Sequence, residues 1–232
     1  MTFVWCDSLE SVTVPSTLES FGGANIYRGV FYKCQNLKNI TVSDNNAVYS
    51  SDDGVVFSKD KSEIVLYPEG REAAEYQIPS GVTFISYHAF MGCNRLQSVT
   101  VPDSVTEIGQ NAFYDSTSLE SITIPDSVRS IGDSAFYNCS ALKDVYYGGF
   151  NLQWKDIYQD DDLDNATIHF RDPMELQASG TCGDDLKWKL EKCVLTIYGT
   201  GDMYDYESLD SQPWAKYEEA IVNVVIEDGV TS

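Results

Sequence analysis

One spacing governs this chain. Phe90, Phe113 and Phe136 recur at intervals of 23 residues by subtraction, as do Leu96, Leu119 and Leu142, and Val99, Ile122 and Val145. Pro102 returns as Pro125, Val105 as Val128, and Ile108-Gly109 as Ile131-Gly132. Upstream, Ile78-Pro79, Val82 and Ile85 fall 23 before Val101-Pro102, Val105 and Ile108. Phe31, Cys34, Leu37, Ile40 and Val42 form an earlier copy, and Phe3, Cys6, Leu9, Val12 and Val14 the first. Phe3 and Phe31 are 28 apart, which puts a short insertion near Gly22–Gly29. One copy has too few apolar side chains to enclose a core. The copies must therefore stack and bury them against their neighbours.

Each copy is legible in physical terms. Leu-x-x-Val-x-Val alternates, which suits a short strand with one buried face. Pro102-Asp103-Ser104 and Pro125-Asp126-Ser127 are turn chemistry, because Pro fixes φ and Asp or Ser can bond the local backbone. Val105-x-x-Ile108-Gly109 reads as a second extended piece closed by glycine, and Ala-Phe returns the chain, here expected through a helical turn. The pattern predicts a β-rich solenoid, a right-handed coil of short strands with repeats of about 23 residues. Residues 43–77 interrupt it. Val55-Val56-Phe57 and Ile64-Val65-Leu66-Tyr67 flank polar Ser58–Ser62, so an enlarged repeat carrying a hairpin is expected.

Charge removes several classes of function. The chain of 232 residues has 15 Lys+Arg against 36 Asp+Glu, a formal charge of -21. It repels phosphate backbones, so nucleic-acid partners are not expected, and attraction to anionic lipid is disfavoured. No apolar run is long enough to span a bilayer, so no direct membrane insertion is expected. The chain opens inside a repeat, which reads as an internal boundary of a longer protein.

Alternation places the residues between the buried ones on the open face of the strands, expected to be concave. These are Ser11, Thr13, Asn39, Thr41, Ser98, Thr100, Ser121, Thr123, Asp144 and Tyr146. Ser98, Thr100, Ser121, Thr123, Asp144 and Tyr146 are the candidate binding residues, able to hydrogen-bond a glycan or a peptide. The competing reading is a solvated row of β-favouring hydroxyls. Asp160, Asp162 and Asp164 offer oxygens to calcium, but the loop lacks the EF-hand glycine and glutamate, so no metal site is assigned. His88 shares a turn position with Asn111 and Ser134, and His169 falls in a late strand. Neither joins a nucleophile and an acid in a defensible set, so no catalytic residues and no cofactor are expected. The six cysteines are read as free thiols. Cys93 and Cys139 lie two repeats apart, too far for a bridge, and Cys6 and Cys34 are read as small buried hydrophobes. Cys193 is expected to follow a turn at Glu191-Lys192 and to face Leu190 rather than Cys182.

The unit read from these copies, AFxxCxxLxxIxIPxSVxxIGxxAF, resembles the BspA-type leucine-rich repeats of bacterial surface proteins over about residues 1–150. Tyr49, Asp53-Gly54-Val55, Lys59-Asp60-Lys61 and Tyr67-Pro68 resemble a variant of that repeat. Val145–Gly149, Gln153-Trp154-Lys155 and Asn165–Phe170 look like the cap that ends such arrays in Firmicutes. Ala178–Gly183, Thr200-Gly201 and Pro213-Trp214 resemble a β-rich linker unit, and Val225–Ser232 resembles the start of a fresh array. Ser116 departs from the pattern where Cys93 and Cys139 stand, and Ser43 where Pro102 stands. The organisation expected is a leucine-rich-repeat solenoid over 1–172, with its insertion at 43–77 and cap at 148–172. A linker at 173–177 and a small all-β unit at 178–232 follow. The resemblance implies a non-catalytic, monomeric adhesion module, extracellular or cell-wall associated, that recognises an extracellular protein or glycan. The alternative is a rigid spacer displaying other domains. A hydrolase in the acidic tail is the third reading, and Asp184-Asp185 and Glu218-Glu219 give it little in so acidic a chain.

Overall fold

The computed structural model describes residues 3–21, 30–158, 160–163, 165–208 and 211–231. The insertion expected near Gly22–Gly29 lies outside them. The chain is strand-dominated and divides into two compact units, Met1–Phe170 and Arg171–Ser232.

In the first unit, β1 (Ser11–Val14) and β2 (Asn39–Val42) form a two-stranded parallel sheet. An antiparallel meander follows: β3 (Tyr49–Asp52), β4 (Val55–Ser58) and β5 (Glu63–Leu66). β6 (Glu75–Gln77), β7 (Phe84–Ile85), β8 (Ser98–Thr100), β9 (Glu107–Ile108), β10 (Ser121–Ile124), β11 (Ser130–Ile131) and β12 (Asp144–Tyr147) then alternate between two sheets. Helix α1 (Asn151–Ile157) and β13 (Thr167–His169) end the unit. One sheet runs β6-β8-β10-β12-β13 with every pairing parallel. The other joins β7, β9 and β11 to the edge of the meander through β5. Each register step in the first sheet is the sequence repeat itself: Ser98 pairs with Ser121, and Ser121 with Asp144.

Inside the stack, like packs on like. Phe90 and Phe113 stack at 4.9 Å between ring centroids, and Phe113 and Phe136 at 5.4 Å. Tyr67 extends this column at one end (5.1 Å to Phe90) and Tyr158 closes it at the other (6.0 Å to Phe136). Leu96, Leu119, Val99, Ile122 and Val145 are buried beside it. Each such side chain contributes about 1.5–3 kcal/mol on burial. Rungs lie so close that a Cβ on Gly132 would come within 2.4 Å of the Gln110 nitrogen below.

The Ala-Phe return is not a helical turn, which corrects the sequence expectation. It is a run of tight turns bonded rung to rung: Phe90 N–H donates to Ala112 C=O (2.7 Å) and Phe113 N–H to Ala135 C=O (2.8 Å). A helix would spend those donors within its own rung and leave the neighbouring rung unpaired. The turns need left-handed residues. His88, Asn111 and Ser134 hold φ of 63, 56 and 53°, and two residues past each phenylalanine Gly92, Asp115 and Asn138 hold 72, 60 and 55°. The cysteine position is also more than a small apolar filler. Ser116 Oγ donates to Phe90 C=O at 2.7 Å, and Cys139 Sγ to Phe113 C=O at 3.1 Å, so a thiol or a hydroxyl ties each rung to the one before.

The enlarged repeat carries a three-stranded meander where a hairpin was expected, with β3 the addition, and then rejoins the regular sheet at β6. Val55, Val56 and Phe57 of β4 are all buried. Val56 packs with Val14, Phe31, Leu37 and Ile40, whereas Val55 and Phe57 pack with Tyr67, Phe90 and the regular rungs. β4 is thus a wall between two cores. Its Asp53-Gly54 turn lies against β2, where Ile40 N–H donates to Gly54 C=O (3.1 Å), and this separates the β1–β2 sheet from the longer one. Gly54 has φ 77°, and a Cβ there would lie 2.4 Å from Asn39 Oδ1.

In the second unit, residues 173–177, expected as a linker, hold a 3-10 turn (Pro173–Glu175) and the first residue of β14 (Gln177–Thr181). β14, β15 (Leu186–Glu191) and β16 (Val194–Gly199) form an antiparallel meander around buried Trp188, Leu190, Leu195 and Trp214. β17 (Gly201–Asp202), β18 (Asn223–Ile226) and β19 (Val230–Thr231) complete the unit. The β15–β16 turn is Lys192-Cys193, both left-handed (φ 50° and 62°), and Leu190 faces Leu195. The sequence reading placed that turn one residue early. All six cysteines are free thiols.

Candidate binding surface

The open face of the β6-β8-β10-β12-β13 sheet carries two straight rows, because parallel strands in one register set equivalent residues side by side. One row is Glu75, Ser98, Ser121, Asp144 and Thr167; the other is Gln77, Thr100, Thr123, Tyr146 and His169. Neighbours in a row are about 4.8 Å apart, the strand spacing. The structure brings all six candidate residues together on this face. Ser11, Thr13, Asn39 and Thr41 pair in the same way but on the separate β1–β2 sheet.

Glu75, Gln77, Thr167 and His169 extend the rows and were not among the candidates. Subtracting or adding one repeat would have found them: Ser98 to Glu75, Thr100 to Gln77, Asp144 to Thr167 and Tyr146 to His169 are each 23 residues. The enlarged repeat and the cap hid them, since the residues before Glu75 and those around Thr167 leave the pattern. The C-terminal end of the face has the most structure. The rings of Tyr146 and His169 stack at 4.6 Å and 13°, and His169 Nε2 lies 2.7 Å from Asp144 Oδ1. Tyr146 stays 46% exposed, so a flat aromatic face stands beside a carboxylate and a field of hydroxyls. Such a face offers stacking and hydrogen bonds.

A second polar group sits on the return arm. Tyr32 Oη and Lys33 Nζ donate to Asp115 Oδ2 (2.5 and 3.1 Å), and Asn138 donates to Oδ1 at 2.7 Å. Burial alone would raise the Asp115 pKa, but these bonds outweigh it and hold the carboxyl below its usual range. Beneath them Glu69 accepts the Lys33 backbone N–H at 2.7 Å and rests on Gly92, where a Cβ would come within 2.7 Å of Glu69 Oε1. Its other oxygen is buried with no hydrogen-bond partner among the described residues. Burial pushes the Glu69 pKa up to about 8, with the Lys33 N–H opposing. The adjoining crevice, lined by Phe31, Tyr67, Met91 and Glu69 among others, measures about 20 Å³, room for one water.

The acidic loop carries the residues weighed for calcium. Asp160 Oδ2 accepts the Ser134 backbone N–H (2.5 Å), Asp162 is half-buried with its pKa raised by burial and by Asp160, and Asp164 lies outside the described residues. Among the described residues no three His, Cys, Asp or Glu side chains converge as a metal set, and no helix is long and apolar enough to cross a membrane.

These rungs match the family model described as "BspA type Leucine rich repeat region" in six copies, over residues 1–63 and 69–160. The chain belongs to the BspA-type leucine-rich-repeat family. Members of this family are generally non-catalytic repeat modules. A leucine-rich repeat protein from Eubacterium ventriosum is 32% identical with a TM-score of 0.56, over 60% of this chain and 36% of its own. A leucine rich cell surface protein from Faecalibacterium prausnitzii is 27% identical over 66% of this chain and 51% of its own, with a TM-score of 0.36. The BspA-type chain thus spans about a third of the first structure and half of the second. No curated protein is significantly similar to it.

Proposed function

We propose that this BspA-type chain is a non-catalytic binding module, carried on a right-handed solenoid and displayed outside the cell or on its wall. It recognises an extracellular protein or glycan through the open sheet face. The parallel connections support the right hand, which such crossovers take almost without exception. The observation that carries the reading is the exposed Tyr146–His169 stack beside Asp144, at the end of two ordered hydroxyl rows. A ring face of this kind stacks on a sugar or an aromatic side chain, while Thr100, Thr123 and Ser121 supply donors and acceptors along the open sheet face.

Screening the chain against glycan and matrix-protein arrays, with Tyr146→Ala and Thr123→Arg as paired variants, tests the idea. Binding lost in both variants supports it. No binding above background by the parent chain, with unchanged cell attachment by the variants, removes it. A rigid spacer is the second reading, favoured by the backbone and Cys/Ser bonds that tie every side of each rung to its neighbour.

A further inference from the structure

The sheet that joins β5, β7, β9 and β11 has an outer face of its own. Ile64, Ile85 and Ile108 are buried on its inner side, so alternation turns Glu63, Phe84, Glu107 and Ser130 outward. Parallel pairing sets these four in one row: Glu63 beside Phe84, Phe84 beside Glu107, and Glu107 beside Ser130. Phe84 is the apolar member of a polar row. Tyr87 stands out in the same way, since Gln110 and Asp133 hold its position 23 and 46 residues on. The core needs neither ring. Ile85 fills the rung, while Phe84 is half-buried and Tyr87 is 59% exposed. The two rings meet edge to face, 5.8 Å apart at 79°, and so form a corner on the surface.

The charge around this corner has one sign. Glu63 and Glu107 stand on either side of Phe84, each about one strand spacing away, 4.8 Å. Glu63 Oε1 accepts the Ser86 hydroxyl. Neither Glu63 nor Glu107 forms an ion pair among the described residues. The chain as a whole, at -21, draws cationic partners toward such a spot. A guanidinium fits it better than an ammonium. Its plane stacks on a ring while its fork of N–H donors reaches a carboxylate, whereas an ammonium brings charge without a plane. We propose that Phe84, Tyr87, Glu63 and Glu107 form a docking site for an arginine side chain of a basic protein segment. It lies on a different sheet from the open face and does not rest on the function proposed for that face.

An NMR titration tests the proposal, using an acetylated and amidated peptide with two arginines spaced by glycine. Salt at about 150 mM screens long-range attraction. Amide shifts should gather at residues 83–87 and 106–108. Phe84→Ser and Glu107→Gln should each weaken binding by roughly two- to fivefold. Glu227→Gln, which removes the same charge from the second unit, should leave it unchanged. The lysine counterpart should bind more weakly, and the uncharged citrulline counterpart should shift none of these amides. Where Phe84→Ser lowers the urea midpoint, Tyr87→Ser carries the same expectation on an exposed ring. Equal affinity of the parent, Phe84→Ser and Glu107→Gln overturns the proposal, as do shifts spread over the whole acidic surface. Equal binding of the lysine peptide overturns the choice of arginine. Shifts centred on Thr100 and Thr123 overturn it in favour of the open sheet face.

Discussion

The regular rungs from Ile78 to Tyr147 and the enlarged repeat at 43–77 solve the same burial problem in opposite ways. In the regular rungs each side chain meets its own equivalent, as the near-parallel stacks of Phe90, Phe113 and Phe136 show at 11° and 5°. In the enlarged repeat one strand serves two neighbours, with Val56 turned to the β1–β2 core and Val55 and Phe57 to the other. The contrast shows that a periodic stack can be divided without being broken. A strand buried on both faces closes one core and opens the next, and the backbone continues through it. It also creates the place where unlike groups collect, including Glu69 and the crevice near Phe31 and Tyr67.

Removing a ring from the column is the largest perturbation. Phe113→Ala, flanked by rings on both sides, is expected to cost about 3–5 kcal/mol in chemical denaturation of the first unit. A loss below 1 kcal/mol would mean the column is not the core. Glu69 comes next. Its folded pKa of about 8 lies above the ordinary 4.5, so the stability held by the protonated form is complete below about pH 4.5 and is lost as pH rises through 8. Glu69→Gln should flatten this slope and raise stability at pH 9 by about 2–4 kcal/mol. Parallel pH profiles for both proteins would refute the burial of that carboxyl. Gly54→Ala strains a left-handed turn and strikes Asn39, for about 1–3 kcal/mol, and should lower the β1–β2 part first. The smallest effect separates two views of the cysteine position. Ser116→Ala should cost about 1 kcal/mol by leaving Phe90 C=O short of a donor, while Ser116→Cys should stay within about 0.5 kcal/mol of the parent. Equal costs would make the position mere packing.

Much of the stack was legible in the sequence because its cause is local and periodic. The strands at Val99, Ile122 and Val145 follow from alternation, and the turn role of His88 follows from its match to Asn111 and Ser134. The double burial of β4 was not legible, since Val55-Val56-Phe57 has no period that tells one face from two. The polar work of Ser116 and Cys139 was hidden because their acceptors are carbonyls of another rung. On the candidate face, the hydroxyl rows were readable from spacing, but the Tyr146–His169 stack needed the cap to pair in register with the last repeat.

Native-state hydrogen exchange in rising denaturant addresses the central claim most directly, that like stacks on like in two cores parted by β4. Amides of β8, β10 and β12 should share one high-energy opening, and those of β1 and β2 a separate, lower one that Phe113→Ala leaves unmoved. A single opening shared by all five strands, shifted as a whole by Phe113→Ala, would contradict it.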